Sequence, residues 1–370
     1  MDTQRNCKQT RRDFVRTCTV GALATGLAGR PVAGAGIVKE YRRGGMYYRR
    51  LGRTDLWLSL LSFGSHTCPA DKLRLADDKT ALTEAGQRRR DRLIERALDL
   101  GVNLLDVYDN DSQWEPVARL IREKRNRVVV SLAHLQTPAA IDRACRLFGH
   151  IDLYRFSIKD VDDRVLQSWD ILRRAKGAGK IRAIGIAAHI ERSFPAVLEE
   201  LDGLDFMMFP YNFIHARADY SQFLPEAARR EVGLIAMKPL AAGSVVSLDS
   251  VVDPRTSPEQ EVLGLYGSRG HRPIVPAAVA ELTRALNRTP GESLCMAAMR
   301  FAYSQPFLSS VVTGMFDDRY LTENYEALTK HRALQVEQSA VLEAARRLTL
   351  LSGASWLPEQ YRWLEDEWRA

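Results

Sequence analysis

Side chains that can move protons fall at or just beyond the ends of short apolar runs: His66, Asp106, Tyr108 and His134, then Lys159, His189, His215 and Lys238. A carboxylate, a phenol, imidazoles and amines gathered in one place can protonate or deprotonate an oxygen on a reacting carbon. The same inventory serves reductase, lyase, isomerase or hydrolase chemistry, so residue types alone leave the reaction class open. His66, His134 and His189 with Asp106 offer enough ligands for zinc, but without tight ligand spacing, and no metal is expected. Of five cysteines, Cys7 and Cys18 lie in the first 35 residues. Cys68, Cys145 and Cys295 are too scattered for a disulfide framework or a cysteine-based metal site.

These groups meet only if the chain brings the ends of its apolar runs together. Runs of strand character cover 58–63, 102–106, 128–132, 151–156, 181–187, 206–209, 234–237 and 309–312. Helical patterns alternate with them, at 90–100, 114–124, 138–148, 161–178, 194–201, 219–231, 290–303 and 318–328. Strands this uniformly apolar belong to a sheet covered on both faces. Eight such units in about 280 residues predict an α/β fold, a (β/α)8 TIM barrel in a single domain. A doubly wound sheet would carry a glycine fingerprint after its first strand, and Gly64-Ser65-His66 does not supply one.

Long loops follow strand one (66–87) and strand seven (239–273), which places both over the catalytic rim of a barrel. The barrel is expected over 46–330, after a linker at 36–45 and before a C-terminal helix and aromatic tail at 331–370. In DSQWE, Trp114 reads as a groove filler, with Asp111 or Ser112 capping the helix and Glu115 completing a capping box.

Residues 1–35 differ in character. The chain carries 53 basic and 46 acidic side chains, a net +7, and six basic and two acidic groups of that total sit in this leader. The remainder is nearly balanced and lacks the focused basic field that nucleic acid requires. Arg11-Arg12 before Phe14, an apolar stretch from Thr17 to Gly29, and Ala33-Gly34-Ala35 resemble a twin-arginine export signal cleaved after Ala35. The expected location is periplasmic or exported, with the twin-arginine translocase as a partner during export. An uncleaved signal would leave the protein tethered to the membrane.

Five stretches, in order, resemble the aldo/keto reductases: YRRLGRTDLWLSLLSFG from Tyr48, GVNLLD from Gly101, GKIRAIGI from Gly179, GLIAMKPLAAG from Gly233, and SSVVTGM from Ser309 with Glu323-Asn324 after it. The resemblance implies a nicotinamide-dependent interconversion of a carbonyl and an alcohol or sugar, on a small-molecule substrate. Family members combine Asp, Tyr, Lys and His, with Tyr as the general acid. By position Asp106 matches the aspartate, and Tyr108 is a displaced tyrosine. Ala133, followed by His134, stands where the lysine is expected; Ser157, with Lys159 two residues on, stands where the histidine is expected. The implied catalytic set is Asp106, Tyr108, His134 and Lys159, with His134 or Lys159 restoring the lost charge.

The same resemblance implies a cofactor site. Tyr211 would be the plate behind the nicotinamide, with Asn212 beside it and His189 following Ala187-Ala188 where the family has Ser-Asn. Lys238, Leu240 and Gly243 would line the pyrophosphate. Gly314 and Tyr320 replace the basic residues that select a 2′-phosphate, Arg319 lies adjacent, and Asn324 faces adenine, so NADP and NAD both stay open. The C-terminal tail has no cysteine, which excludes an iron–sulfur segment. Two other functions remain open here: a non-redox barrel enzyme of lyase or isomerase type, and an exported pseudoenzyme that binds without turnover.

Overall fold

A strand with a side chain on each face must bury both, and closing the sheet on itself achieves this without leaving an edge. The computed structural model describes residues 36–75, 80–109, 112–133, 136–241, 245, 260–263, 271–274 and 276–352. The first elements of the described residues form an antiparallel sheet of β1 (Glu40–Arg43), β2 (Met46–Arg50) and β3 (Trp57–Ser59). The barrel begins at β4 (Leu61–Phe63). A short hairpin, β5 (Lys72–Arg74) and β6 (Thr80–Leu82), precedes β7 (Leu104–Tyr108), β8 (Val129–Ala133), β9 (Ile151–Ile158), β10 (Ile181–Ala188), β11 (Phe206–Pro210) and β12 (Gly233–Met237). A second hairpin, β13 (Gln260–Leu263) and β14 (His271–Ile274), comes before the last barrel strand, β15 (Leu308–Thr313). Pairing runs β4-β7-β8-β9-β10-β11-β12-β15 and closes back on β4, all parallel. The fold is a (β/α)8 barrel.

Strand alternation divides the core in two. Leu104, Val129, Leu153, Ala183, Phe206 and Ile235 fill the barrel interior. Their neighbours Leu105, Val130, Tyr154, Ile184, Met207 and Leu234 point outward beneath the helices. Those helices are α1 (Glu84–Asp99), α2 (Trp114–Leu120), α3 (Pro138–Phe148), α4 (Asp163–Gly177), α5 (Phe194–Glu200), α6 (Phe223–Arg229), α7 (Pro276–Ala285), α8 (Leu294–Tyr303), α9 (Asp318–Glu326) and α10 (Gln338–Ser352). Local chemistry fixes several starts: Thr83, Thr137, Asp162, Ser293 and Asp317 each accept a backbone N–H as N-cap, and Pro138 opens α3 at N1.

Three expectations change. The first apolar run breaks at Leu60, its front half joining the β1–β2 sheet and its rear half the barrel. The expected linker at 36–45 contains β1, tied down by Arg49, whose guanidinium bonds Glu40 and the carbonyls of Gln305, Leu308 and Tyr303. Helix α2 begins without a side-chain cap: Ser112 adopts φ +50°, and Glu115 pairs with Arg143 instead. The leader at 1–35, Asp111 and the tail at 353–370 lie outside the described residues.

Candidate active site at the barrel mouth

The C-terminal ends of β7, β8 and β9 carry the chemistry. Alternation that buries Leu104 inward also turns Asp106 and Tyr108 inward, the first fully buried and the second half-exposed at the mouth. In register, Asp106 pairs with Ser131 and Tyr108 with Ala133, while Ala133 pairs with Arg155 on the next strand. The Ser131 hydroxyl donates to Asp106 Oδ1 at 2.8 Å. Arg155 Nη2 donates to both Asp106 oxygens, at 2.7 and 2.6 Å. The guanidinium carbon then lies 5.2 Å from the centre of the Tyr108 ring.

A charged pair this buried survives only if its geometry repays the loss of water. Burial alone would lower the pKa of Arg155, but the Asp106 carboxylate and the Tyr108 phenol raise it above the ordinary value, so the guanidinium stays charged. Its Nε and Nη1 have no hydrogen-bond partner among the described residues.

Further groups surround this unit. The exposed His66 ring meets Tyr108 edge to face at 5.8 Å between centroids. His189, one residue beyond β10, is pushed down to about 4 by burial, with Lys238, Arg155 and His66 adding repulsion. Burial lowers Lys238, one residue beyond β12, to about 8. His215 is fully buried and falls to about 3 through burial and the nearby Lys238. Gly314 sits beside His66: a Cβ there would meet the His66 Cβ at 3.9 Å.

The predicted residues thus divide. Asp106, Tyr108, His189 and Lys238 converge on the mouth. Lys159 is exposed beyond β9, and the cation paired with Asp106 is Arg155. His134 and Gly243 lie outside the described residues.

Tyr211, expected as the plate, is fully buried and packed outward. It continues the outward parity of Phe209, stacks on Phe301 at 6.1 Å, and donates its hydroxyl to Asp219 at 2.7 Å. Asn212 is consumed by its own loop: Oδ1 accepts from the backbone N–H of Ile214 and His215, and Nδ2 donates to the Lys238 carbonyl. Leu240 is partly buried in that loop. Arg319 is exposed and pairs with Glu323, whereas Asn324 is buried and its carbonyl accepts from Tyr303. Trp114 is fully buried and donates to the Val107 carbonyl, as expected of a groove filler. Among the described residues no cluster of ligating side chains could hold a metal ion.

Arg155 and Ser131 are what sequence reasoning missed. A signal existed: Arg155 is an arginine inside β9, a strand buried at seven of its eight positions, and a charge in such a strand demands a buried partner.

Comparison with known proteins follows the same lines. The model of the aldo/keto reductase family matches residues 75–347. An uncharacterized oxidoreductase, YqkF, from Bacillus subtilis is 20% identical over 319 residues, covering 80% of this chain and 95% of the relative. L-glyceraldehyde 3-phosphate reductase from Escherichia coli O157:H7 is 22% identical over 331 residues, covering 78% and 89%. The holo form of an aldo-keto reductase from Bacillus halodurans superposes with a TM-score of 0.59 at 18% identity, covering 85% of this chain and 99% of that one. At that identity the structural likeness speaks for the fold alone.

Proposed function

The chain belongs to the aldo/keto reductase family, and from that premise we propose that it interconverts a carbonyl and an alcohol on a small molecule or sugar, using a nicotinamide nucleotide. One observation carries the reading: a half-exposed tyrosine at the barrel mouth stands over a buried, charge-paired carboxylate. Tyr108 is the proton donor to the substrate oxygen in reduction and the acceptor in oxidation. Asp106 and Ser131 hold the charge beneath it, and the closed barrel wall keeps bulk water from that side.

The residues fit the cofactor at its phosphate end. Lys238 is half-buried and loses basicity to burial, a state that an adjacent anion reverses. Arg319 adds a charge at the exposed rim. Asn212, through its bond to the Lys238 carbonyl, and Tyr211 behind it hold that loop in place. When bound, the nucleotide supplies or accepts the hydride. The choice between NADP and NAD rests with Arg319 and the open backbone at Gly314.

Fluorescence titration with NADH and NADPH, alongside mass analysis of nucleotide released on denaturation, tests the reading. Tight binding, with a Tyr108→Phe variant that binds but does not turn over, supports it. No affinity tighter than about 1 mM for either nucleotide removes it and leaves a non-redox enzyme or a binding protein. The leader belongs to the same proposal: the mature protein begins near Gly36 after export. Intact mass after native expression checks that, and a mature species retaining Arg11-Arg12 would exclude cleavage.

A further inference from the structure

We propose that Arg155 is the positioning residue of this site: from the fourth barrel strand it holds Tyr108 and Asp106 as one unit and stabilises the phenolate left when Tyr108 gives up its proton. The inference rests on Tyr108 being the proton donor proposed above.

Four observations lead there. The two positions where resemblance places the usual lysine and histidine hold Ala133 and Ser157, small residues at neighbouring strand ends. Arg155 is two residues before Ser157 on the same strand, faces inward, and is long enough to cross the space those small side chains leave. It reaches Asp106 with one nitrogen alone, Nη2, at 2.6 and 2.7 Å. That leaves Nε and Nη1, both buried, with no partner among the described residues.

Unpartnered buried N–H groups are costly, and a native fold keeps them where something arrives to use them. What can arrive is a negative charge on the aromatic ring 5.2 Å away. In reduction the O–H bond of Tyr108 breaks, the proton goes to the substrate oxygen as its carbon gains the hydride, and the electron pair stays on the phenolate. A guanidinium fixed by Asp106 meets that charge without moving, which is how a preorganised donor lowers a barrier. Arg suits this task better than Lys because its planar fork serves two partners at once.

Other charges face Tyr108 and set the background. Asp106 is on its own strand and is neutralised by Arg155. His66 approaches from the loop after β4, and His189 and Lys238 stand across the mouth. Strand β8 offers the uncharged Ala133, and His134 after it lies outside the described residues.

The test follows the protein rather than its turnover. Tyrosine labelled with 13C at Cζ reports phenol ionisation, and comparison with Tyr108→Phe identifies the Tyr108 signal. We expect this signal to change over at a higher pH in Arg155→Met than in wild type, and Arg155→Lys to fall between the two. Arg155→Met combined with Asp106→Asn removes both charges together and provides a folded alternative if the single variant unfolds. In parallel, kcat/KM for a carbonyl substrate should fall about 100-fold or more in Arg155→Met and recover in part in Arg155→Lys, with nucleotide affinity little changed. A Tyr108 signal that titrates identically in wild type and both charge-deleted variants overturns the inference, whatever the activity. A signal that moves in a protein with no nucleotide affinity leaves the Arg155–Tyr108 pairing standing and removes the reductase reading.

Discussion

Two buried arginines, both almost without solvent exposure, are treated in opposite ways. Arg300 on α8 bonds Glu292 through Nε at 2.7 Å and Nη2 at 3.1 Å, and its remaining donors reach the carbonyls of Leu286 and Leu334. Every nitrogen has an acceptor, and the group ties a helix to the loops around it. Arg155 has a carboxylate of its own, yet two of its three nitrogens have no hydrogen-bond partner among the described residues. A saturated guanidinium is a structural pin, whereas an unsaturated one in a cleft is held ready for something else. Satisfaction of donors, rather than burial or charge, separates the two roles.

Breaking the saturated site should give the largest effect. Arg300→Met strands the buried Glu292 and two carbonyls, and thermal or urea unfolding should register a loss of about 3–5 kcal/mol. Adding Glu292→Gln removes the stranded charge but leaves Leu286 and Leu334 without donors, so part of the loss should persist, about 1–3 kcal/mol. Restoration to wild-type stability in this double variant would show that the carbonyl bonds contribute nothing.

The mouth should behave in reverse. Asp106→Asn with Arg155→Met removes a pair whose donors are half idle, and its unfolding midpoint should equal or exceed that of wild type. Activity per folded molecule should fall about 100- to 1,000-fold. A double variant that loses as much stability as Arg300→Met would erase the contrast between the two sites.

Proton linkage offers a finer test, away from both arginines. Burial raises Asp219 to about 7, against the bonds from Tyr211 and Gln338 that favour its ionised form. A carboxyl raised in the folded state stabilises fully below its unfolded pKa near 4, and that contribution is lost as pH rises toward 7. His215, lowered to about 3, acts oppositely: its contribution is full above pH 6.5 and lost as pH falls. The two partly cancel between pH 4 and 6.5, so the whole-protein curve hides both. Asp219→Asn should therefore melt a few degrees higher than wild type at pH 8 and show no such gain at pH 4, followed by circular dichroism. Smallest of all, Arg319→Ala, an exposed residue in an i,i+4 pair, should change stability by less than about 0.5 kcal/mol. Its effect should appear, if anywhere, in the ratio of NADPH to NADH affinity.

The eight barrel strands were legible because each is a short, mostly apolar run bounded by polar turns, a pattern that survives the few polar side chains within it and needs no knowledge of neighbours. The same held for α3, where Thr137 and Pro138 mark the start and Gly149 the end. Asp106 and Tyr108 were legible as residues at the end of one such strand. The β1–β2 sheet was not, because YRRGGMYYRR has little apolar alternation of its own and is held by Arg49 reaching carbonyls more than 250 positions away. Tyr211 shows the limit within the site. Its place just past a strand end was correct, but facing is a matter of parity counted from barrel closure, and parity turned it to Phe301 and Asp219.

The sequence by itself determined where strands lie and which chemical groups stand at their ends, since both depend on short-range pattern. Tertiary structure alone decided which of those groups meet. In a barrel, register offsets bring a residue three positions inside the end of β9 level with one at the end of β7, across an intervening strand. A long side chain at such an inner position is already desolvated and finds its carboxylate within 2.7 Å, whereas Lys159, beyond the strand end, stays exposed.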